Sequence, residues 1–221
     1  MAFEPAPDPS IAPDNTTGTN PAVAERMRRL REASAQGCAD AQFEIGCLFH
    51  AGEFVARDDA EAACWWGLAA LGGHARAQCE LGCLHVLGRG VARNLEVARL
   101  WLESAAAQSD TLAQYELGML ELEPGGGGTE SAARWFARAG AQDHPCAQYR
   151  LGLAYRDGAG VVRDDECAMY WLDAASTRGC ALAAYALAEL GWRGRRVPPR
   201  RVHHGEHCQS PCGSFECRPR N

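Results

Sequence analysis

The chain has 221 residues, 47% of them hydrophobic, enough for one ordinary core. Its 28 acidic residues outnumber 22 basic ones, all arginine, giving a net charge of −6. That balance argues against nucleic acid as the main partner, and no apolar run approaches the roughly 20 residues of a membrane helix. The charge is split: residues 1–191 carry fifteen Arg against 26 acids, net −11, whereas 192–221 carry seven Arg against Glu206 and Glu216, net +5.

In chain order, residues 1–20 are rich in Pro, Asp, Thr and Asn, which predicts disorder. They show neither the basic start nor the apolar stretch of a secretory signal, so a cytoplasmic protein is expected. Residues 21–37, PAVAERMRRLREASAQG, read as a lone capping helix with a polar outer face.

From residue 38 the chain repeats itself. Ala41-Gln42, Ala77-Gln78, Ala113-Gln114 and Ala147-Gln148 are spaced by 36, 36 and 34 residues, and Ala183-Ala184 follows 36 later. Ile45-Gly46, Leu81-Gly82, Leu117-Gly118, Leu151-Gly152 and Leu187-Ala188 keep the same register. So do Trp65, Trp101, Trp135 and Trp171, each with alanine three residues before and four after. In the capping helix Arg29 holds the tryptophan register and Ala33 the following alanine.

Each unit therefore holds two short helices. In the second unit helix A is predicted over 75–87 and helix B over 95–108. The turn between them reads GEFVARD, GRGVARN and GAGVVRD in units one, two and four. Gly52, Gly88 and Gly158 suit a helix end in the left-handed region. Asp58, Asn94 and Asp164 suit the next N-cap, and Val55, Val91 and Val161 suit a staple. Gly46, Gly82, Gly118 and Gly152 recur despite a cost of about 1 kcal/mol in a helix interior. That predicts close approach by helix B, with its Trp and Ala ridges as the neighbours. Trp65, Trp101, Trp135 and Trp171 are expected in the core.

Unit three replaces the turn with EPGGGGTE, a loop in which Thr129 is expected to cap the next helix. With no preceding strand and no Lys-Ser/Thr after it, this is no phosphate loop. Unit five starts as ALAAYALAEL, then decays; no second helix is predicted, leaving the apolar face of its helix A partly uncovered. Residues 195–221 form a basic tail expected to be disordered, in which His207, Cys208, Cys212 and Cys217, with His203 and His204, are a weak zinc candidate.

The pattern A-Q-x-x-L-G-x-L, then G-x-G-V-x-x-D/N, then A-x-x-W-x-x-x-A, resembles the Sel-1-like repeat, a relative of the tetratricopeptide repeat. The resemblance implies an all-α, right-handed α/α solenoid of helix-turn-helix repeats of about 36 residues, with about four and a half repeats over 38–194. It also implies a scaffold or adaptor that binds another protein or peptide, and neither an active-site motif nor a cofactor. Cysteine-rich relatives pair two cysteines per repeat, bridging helices A and B, and some are credited with β-lactam binding; the alternative the resemblance implies is therefore a cysteine-rich enzyme or binder of β-lactam-like cell-wall molecules. Here Cys47 shares a register with Cys83 and Cys38 with Cys180, but no pair recurs in every unit. The eleven cysteines are instead expected to be small, buried, reduced thiols.

The residues that change between units are the expected contact surface. Glu44, Glu80, Glu116 and Arg150 precede the aliphatic-glycine pairs; three acids in one register would form a row for a basic or helical peptide. Phe49, His85 and Tyr155 share another register and are expected to pack between helices. Cys83 and His85 are two residues apart, on different helix faces, so they make no dyad.

Overall fold

The computed structural model describes residues 21–194 apart from Phe54; among these it has ten helices and no strand. The expected disordered segment 1–20 and tail 195–221, with the candidate metal ligands, lie outside the described residues. The chain divides into two compact units, one ending at Asp110 and one beginning at Thr111. The first holds α1 (Pro21–Ala35), α2 (Ala39–Ala51), α3 (Asp59–Leu71), α4 (Ala75–Leu87) and α5 (Leu95–Ala107). The second holds α6 (Thr111–Glu121), α7 (Gly128–Gly140), α8 (Pro145–Asp157), α9 (Asp165–Thr177) and α10 (Ala181–Gly194). Within each unit helices pack on their sequence neighbours, most closely as the pairs α2 with α3, α4 with α5, α6 with α7 and α8 with α9.

The turn chemistry sets the helix ends. Gly52, Gly88 and Gly158 are left-handed, and their N–H groups donate to the Leu48, Leu84 and Ala154 carbonyls. Asp58 accepts from the Ala60 and Glu61 amides, Asn94 from Glu96 and Val97, and Asp164 from Glu166 and Cys167. The backbones of the three caps then donate to the Phe49, His85 and Tyr155 carbonyls, at 2.9–3.0 Å, closing each A–B turn. The side chains of Phe49 and Tyr155 pack on the cores, as their register predicts.

A second closure, from helix B to the next helix A, has no sequence expectation behind it. The amides of Cys38, His74, Asp110, His144 and Cys180 donate to Ala33, Ala69, Ala105, Ala139 and Ala175, the alanines four residues after the tryptophan register. His74 and His144 also accept, through Nδ1, the amides of Ala77 and Ala147. Both rings stack on an aromatic of the preceding helix A, Phe43 and Tyr115 respectively.

Two expectations are corrected. Thr129 does not cap α7: the helix starts at Gly128, and Gly127 is its N-cap, without a side-chain hydrogen bond. The shortened turn has no Asx residue, and Glu121 instead reaches forward from the end of α6 to accept the Gly127 amide. Nor do the tryptophans lie over the helix-A glycines. That ridge is formed by the next residue along: Trp66, Leu102, Phe136 and Leu172. A Cβ on Gly82 would lie 2.8 Å from Leu102 Cγ, on Gly118 2.5 Å from Phe136 Cε1, and on Gly152 2.7 Å from Leu172 Cγ. On Gly46 it would overlap the Trp66 indole.

Two of the tryptophans, Trp101 and Trp171, pack between repeats instead. Trp171 of α9 joins Phe136 of α7 and Leu151 of α8 in one cluster, and Trp101 of α5 packs on the α3–α4 cluster around Trp66. Trp65 and Trp171 are buried, whereas Trp101 and Trp135 are half-buried. A 3.6-residue period puts adjacent positions about 100° apart, so one of the pair faces its own helix A and the other the preceding repeat.

Candidate functional site

The repeated residues are consumed by the frame. Ala77, Leu81 and Gly82 are buried in α4, as are Ala113, Leu117 and Gly118 in α6. The glutamine of each Ala-Gln pair also belongs to the frame. Gln78 Nε2 donates to the Ala70 carbonyl at 3.1 Å and Gln148 Nε2 to Gly140 at 3.0 Å, tying helix A to the end of the preceding helix B. Gln108 and Gln142 then donate to Gln78 and Gln114 at 2.9 and 2.8 Å. Arg178 takes that register in α9; it pairs with the buried Asp143, and Gln148 Oε1 is left without a hydrogen-bond partner among the described residues.

Among the positions the frame leaves partly at the surface is the register just before each aliphatic-glycine pair. In the first unit Glu44 lies on α2 and Glu80 on α4, both half-buried. In the second, Glu116 lies on α6 and Arg150 on α8, also half-buried. The carboxylates of the first unit are not bare. Arg26 of α1 pairs with Glu44, and Arg76 Nε donates to Glu80 Oε1 at 3.0 Å. The Arg76–Glu80 spacing of four residues was readable as a helical pair; the Arg26–Glu44 contact joins two helices and has no local signal. On α1, hydrogen bonds from Arg28 and Arg29 hold the Glu25 carboxyl down at about 2.

A second polar cluster sits where the first repeat meets the second. Asp59, at the start of α3, accepts from His50 Nδ1 at 2.7 Å and from Arg89 at 2.8 and 3.1 Å. Gly90 follows Arg89 with φ +69°, and a Cβ there would overlap the Asp59 carbonyl. Both glycines of the GRG turn are thus explained: Gly88 ends α4, and Gly90 admits the backbone of the preceding repeat. Gly160 does the same against Thr129 in the second unit.

Sulfur chemistry differs from expectation. Cys38, Cys47, Cys64, Cys79, Cys83, Cys167 and Cys180 are thiols, but only Cys79 and Cys180 among them are buried; Cys38 and Cys64 are exposed. Cys146 is disulfide-bonded, so reduced thiols throughout do not hold at that position. The Cys79 thiol is pushed well above its usual range by its hydrogen bond with Cys83 and by burial. Among the described residues no group of three or more His, Cys, Asp or Glu side chains is placed to hold a metal ion, and no helix is long and apolar enough to cross a membrane.

Sel1 repeats are recognised at residues 39–74, 75–110, 111–144, 147–180 and 181–200. The chain belongs to the Sel1 repeat family. Two solved structures share the fold. A protective antigen of uropathogenic Escherichia coli with an SLR fold is 30% identical, with a TM-score of 0.72 over 76% of this chain and 36% of its own. A Sel1 repeat protein from Oxalobacter formigenes is 34% identical, with a TM-score of 0.66 over 74% of this chain and 48% of its own. The chain therefore spans less than half the length of either. No curated protein matches it. Sel1 proteins have an all-α solenoid fold and generally serve as protein-interaction scaffolds, and the ridge and turn residues described above are the family's frame in this chain.

Proposed function

We propose that this Sel1 protein is an adaptor that binds a basic peptide or helix of a partner protein along the Glu44 and Glu80 register of its first unit. The observation that carries the reading is the division of labour within each helix A. The aliphatic residue and the glycine of each pair are buried, while the residue immediately before them reaches solvent, as glutamate in three units and arginine in the fourth. Solenoids place specificity on such surface positions over a constant frame. Arg26 and Arg76 already neutralise Glu44 and Glu80. A partner's guanidinium or ammonium groups would exchange with these internal counter-ions, so binding gives selectivity and encounter rate more than raw affinity.

The test is charge reversal. Glu44→Arg with Glu80→Arg should abolish capture of partners in pull-downs read by mass spectrometry, while circular dichroism shows unchanged helix content. Partners retained by the parent should be released by raised salt, as half-exposed charges are screened. Capture that survives the double reversal would remove this register as the site.

A further inference from the structure

Among the described residues two helices have no partner in the register their sequence implies. α1 stands in the register of a helix B: Leu30 follows Arg29 and occupies the position of Trp66, Leu102, Phe136 and Leu172. Among the described residues no helix precedes it. An open cavity of about 480 Å³ is lined by Ala22, Glu25, Arg26, Arg29, Leu30 and Ala33 of α1 together with Glu44 of α2. α10 stands in the register of a helix A, and among the described residues no helix follows it. Its Ala184, Tyr185 and Ala188 correspond to Gln78, Cys79 and Gly82 of α4. The α4 residues are buried; all three in α10 are exposed, with Tyr185 at 74% and the adjacent Leu182 at 52%.

In complete repeats these two registers meet. Phe43 stacks on Trp66 with centroids 6.3 Å apart, and Tyr115 packs on Phe136 at 5.9 Å. Tyr185 holds the position of Phe43 and Tyr115, and Leu30 that of Trp66 and Phe136.

We propose that a second copy of the chain supplies the missing half: α1 of one copy packs on α10 of another, with Leu30 over Tyr185 and Ala188, completing a helix A–helix B pair between molecules. The contact continues an interface that the chain forms four times internally, between α2 and α3, α4 and α5, α6 and α7, and α8 and α9. Charge is compatible. α1 carries Arg26, Arg28, Arg29 and Arg31 against Glu25 and Glu32, while the described side chains of α10 include one acid, the exposed Glu189, which also pairs with Arg156 at 3.8 Å, and no base. Ala188 stands where the internal pairs have glycine, so the intermolecular pair sits wider than Gly82 and Leu102 do, and the association is reversible. The two patches differ, so the contact is heterologous and runs head to tail.

The experiment is sedimentation velocity on the full chain over rising concentration. The parent should exceed monomer mass as concentration increases. Leu30→Arg and Tyr185→Arg should each weaken self-association by at least about tenfold, with helix content unchanged by circular dichroism; Ala33→Arg replaces Leu30→Arg if that variant loses helicity. Each variant keeps one intact patch, so mixing Leu30→Arg with Tyr185→Arg should restore a heterodimer that grows no further. A parent that stays monomeric throughout would overturn the proposal, with α10 bare or covered by the chain's own residues 195–221. So would a single variant that associates like the parent, the sign of a symmetric α10–α10 or α1–α1 contact, or a mixture without heterodimer.

Discussion

At the residue scale, Gly82 and Gly90 differ in what a methyl group would strike. At Gly82 it lies 2.8 Å from Cγ of the fully buried Leu102 and 3.3 Å from the Ala98 carbonyl; at Gly90 it meets the Asp59 backbone, and φ is already +69°. Gly82→Ala should therefore cost about 1 kcal/mol, the overpacking exceeding the gain in helix propensity. Gly82→Leu should cost about 1–3 kcal/mol or more through overpacking. Gly90→Ala should cost more than Gly82→Ala, about 2–4 kcal/mol, since left-handed strain adds to a backbone overlap. Urea unfolding of the three variants checks the order; equal losses at Gly82→Ala and Gly90→Ala would contradict it. Ser109 offers the opposite case. It holds φ +67° at a position where Gly37, Gly73 and Gly179 also have positive φ. Ser109→Gly should raise stability by about 0.5–1 kcal/mol by the same measurement. The repeated glutamine was visible in the sequence, but its partners were not: the Ala70 and Gly140 carbonyls lie eight residues upstream, across a turn.

At the element scale, capping decides where helices start, and one cap gives a pH signature. Hydrogen bonds from the Cys167 amide, and then from Glu166, lower the Asp164 pKa against the opposing effect of burial. A carboxyl depressed on folding stabilises above its unfolded pKa, and that stability is lost as pH falls through the folded value. Asp164→Ala should cost about 1 kcal/mol at neutral pH. Asp164→Asn keeps an acceptor without the titration. Its Tm should approach that of the parent as pH falls from neutral to about 3; a gap that widens with acidification would refute the assignment. Three of the four A–B turns were readable because Gly, Val and Asx recur at fixed offsets. The fourth was misread at Thr129, because the cap is replaced by a carboxylate from six residues upstream, Glu121.

At the scale of the whole molecule, thiol exposure reports opening of the frame. Cys38 and Cys64 should react with a disulfide reagent in the native protein. Cys79 should react only on unfolding, because burial and its bond to Cys83 keep it protonated. Mapping labelled cysteines by mass spectrometry along a urea gradient tests this; Cys79 labelling together with Cys64 in native buffer would show that the first unit opens locally.

The sequence by itself determined the all-α class, the repeat length, the helix boundaries near Ala75–Leu87 and Leu95–Ala107, and the register of the residues that vary. Those follow from local periodicity and from turn residues whose backbone requirements act within a few positions. Tertiary structure alone decided which helix-B residue covers the glycines, since Trp65 and Trp66 are both apolar and only packing assigns one to each side. It also decided that Glu44 meets Arg26, a pairing between helices that no spacing encodes. The exposure of Tyr185 belongs to the same class: the residue is ordinary for its register, and only the absence of a covering helix among the described residues leaves it in solvent.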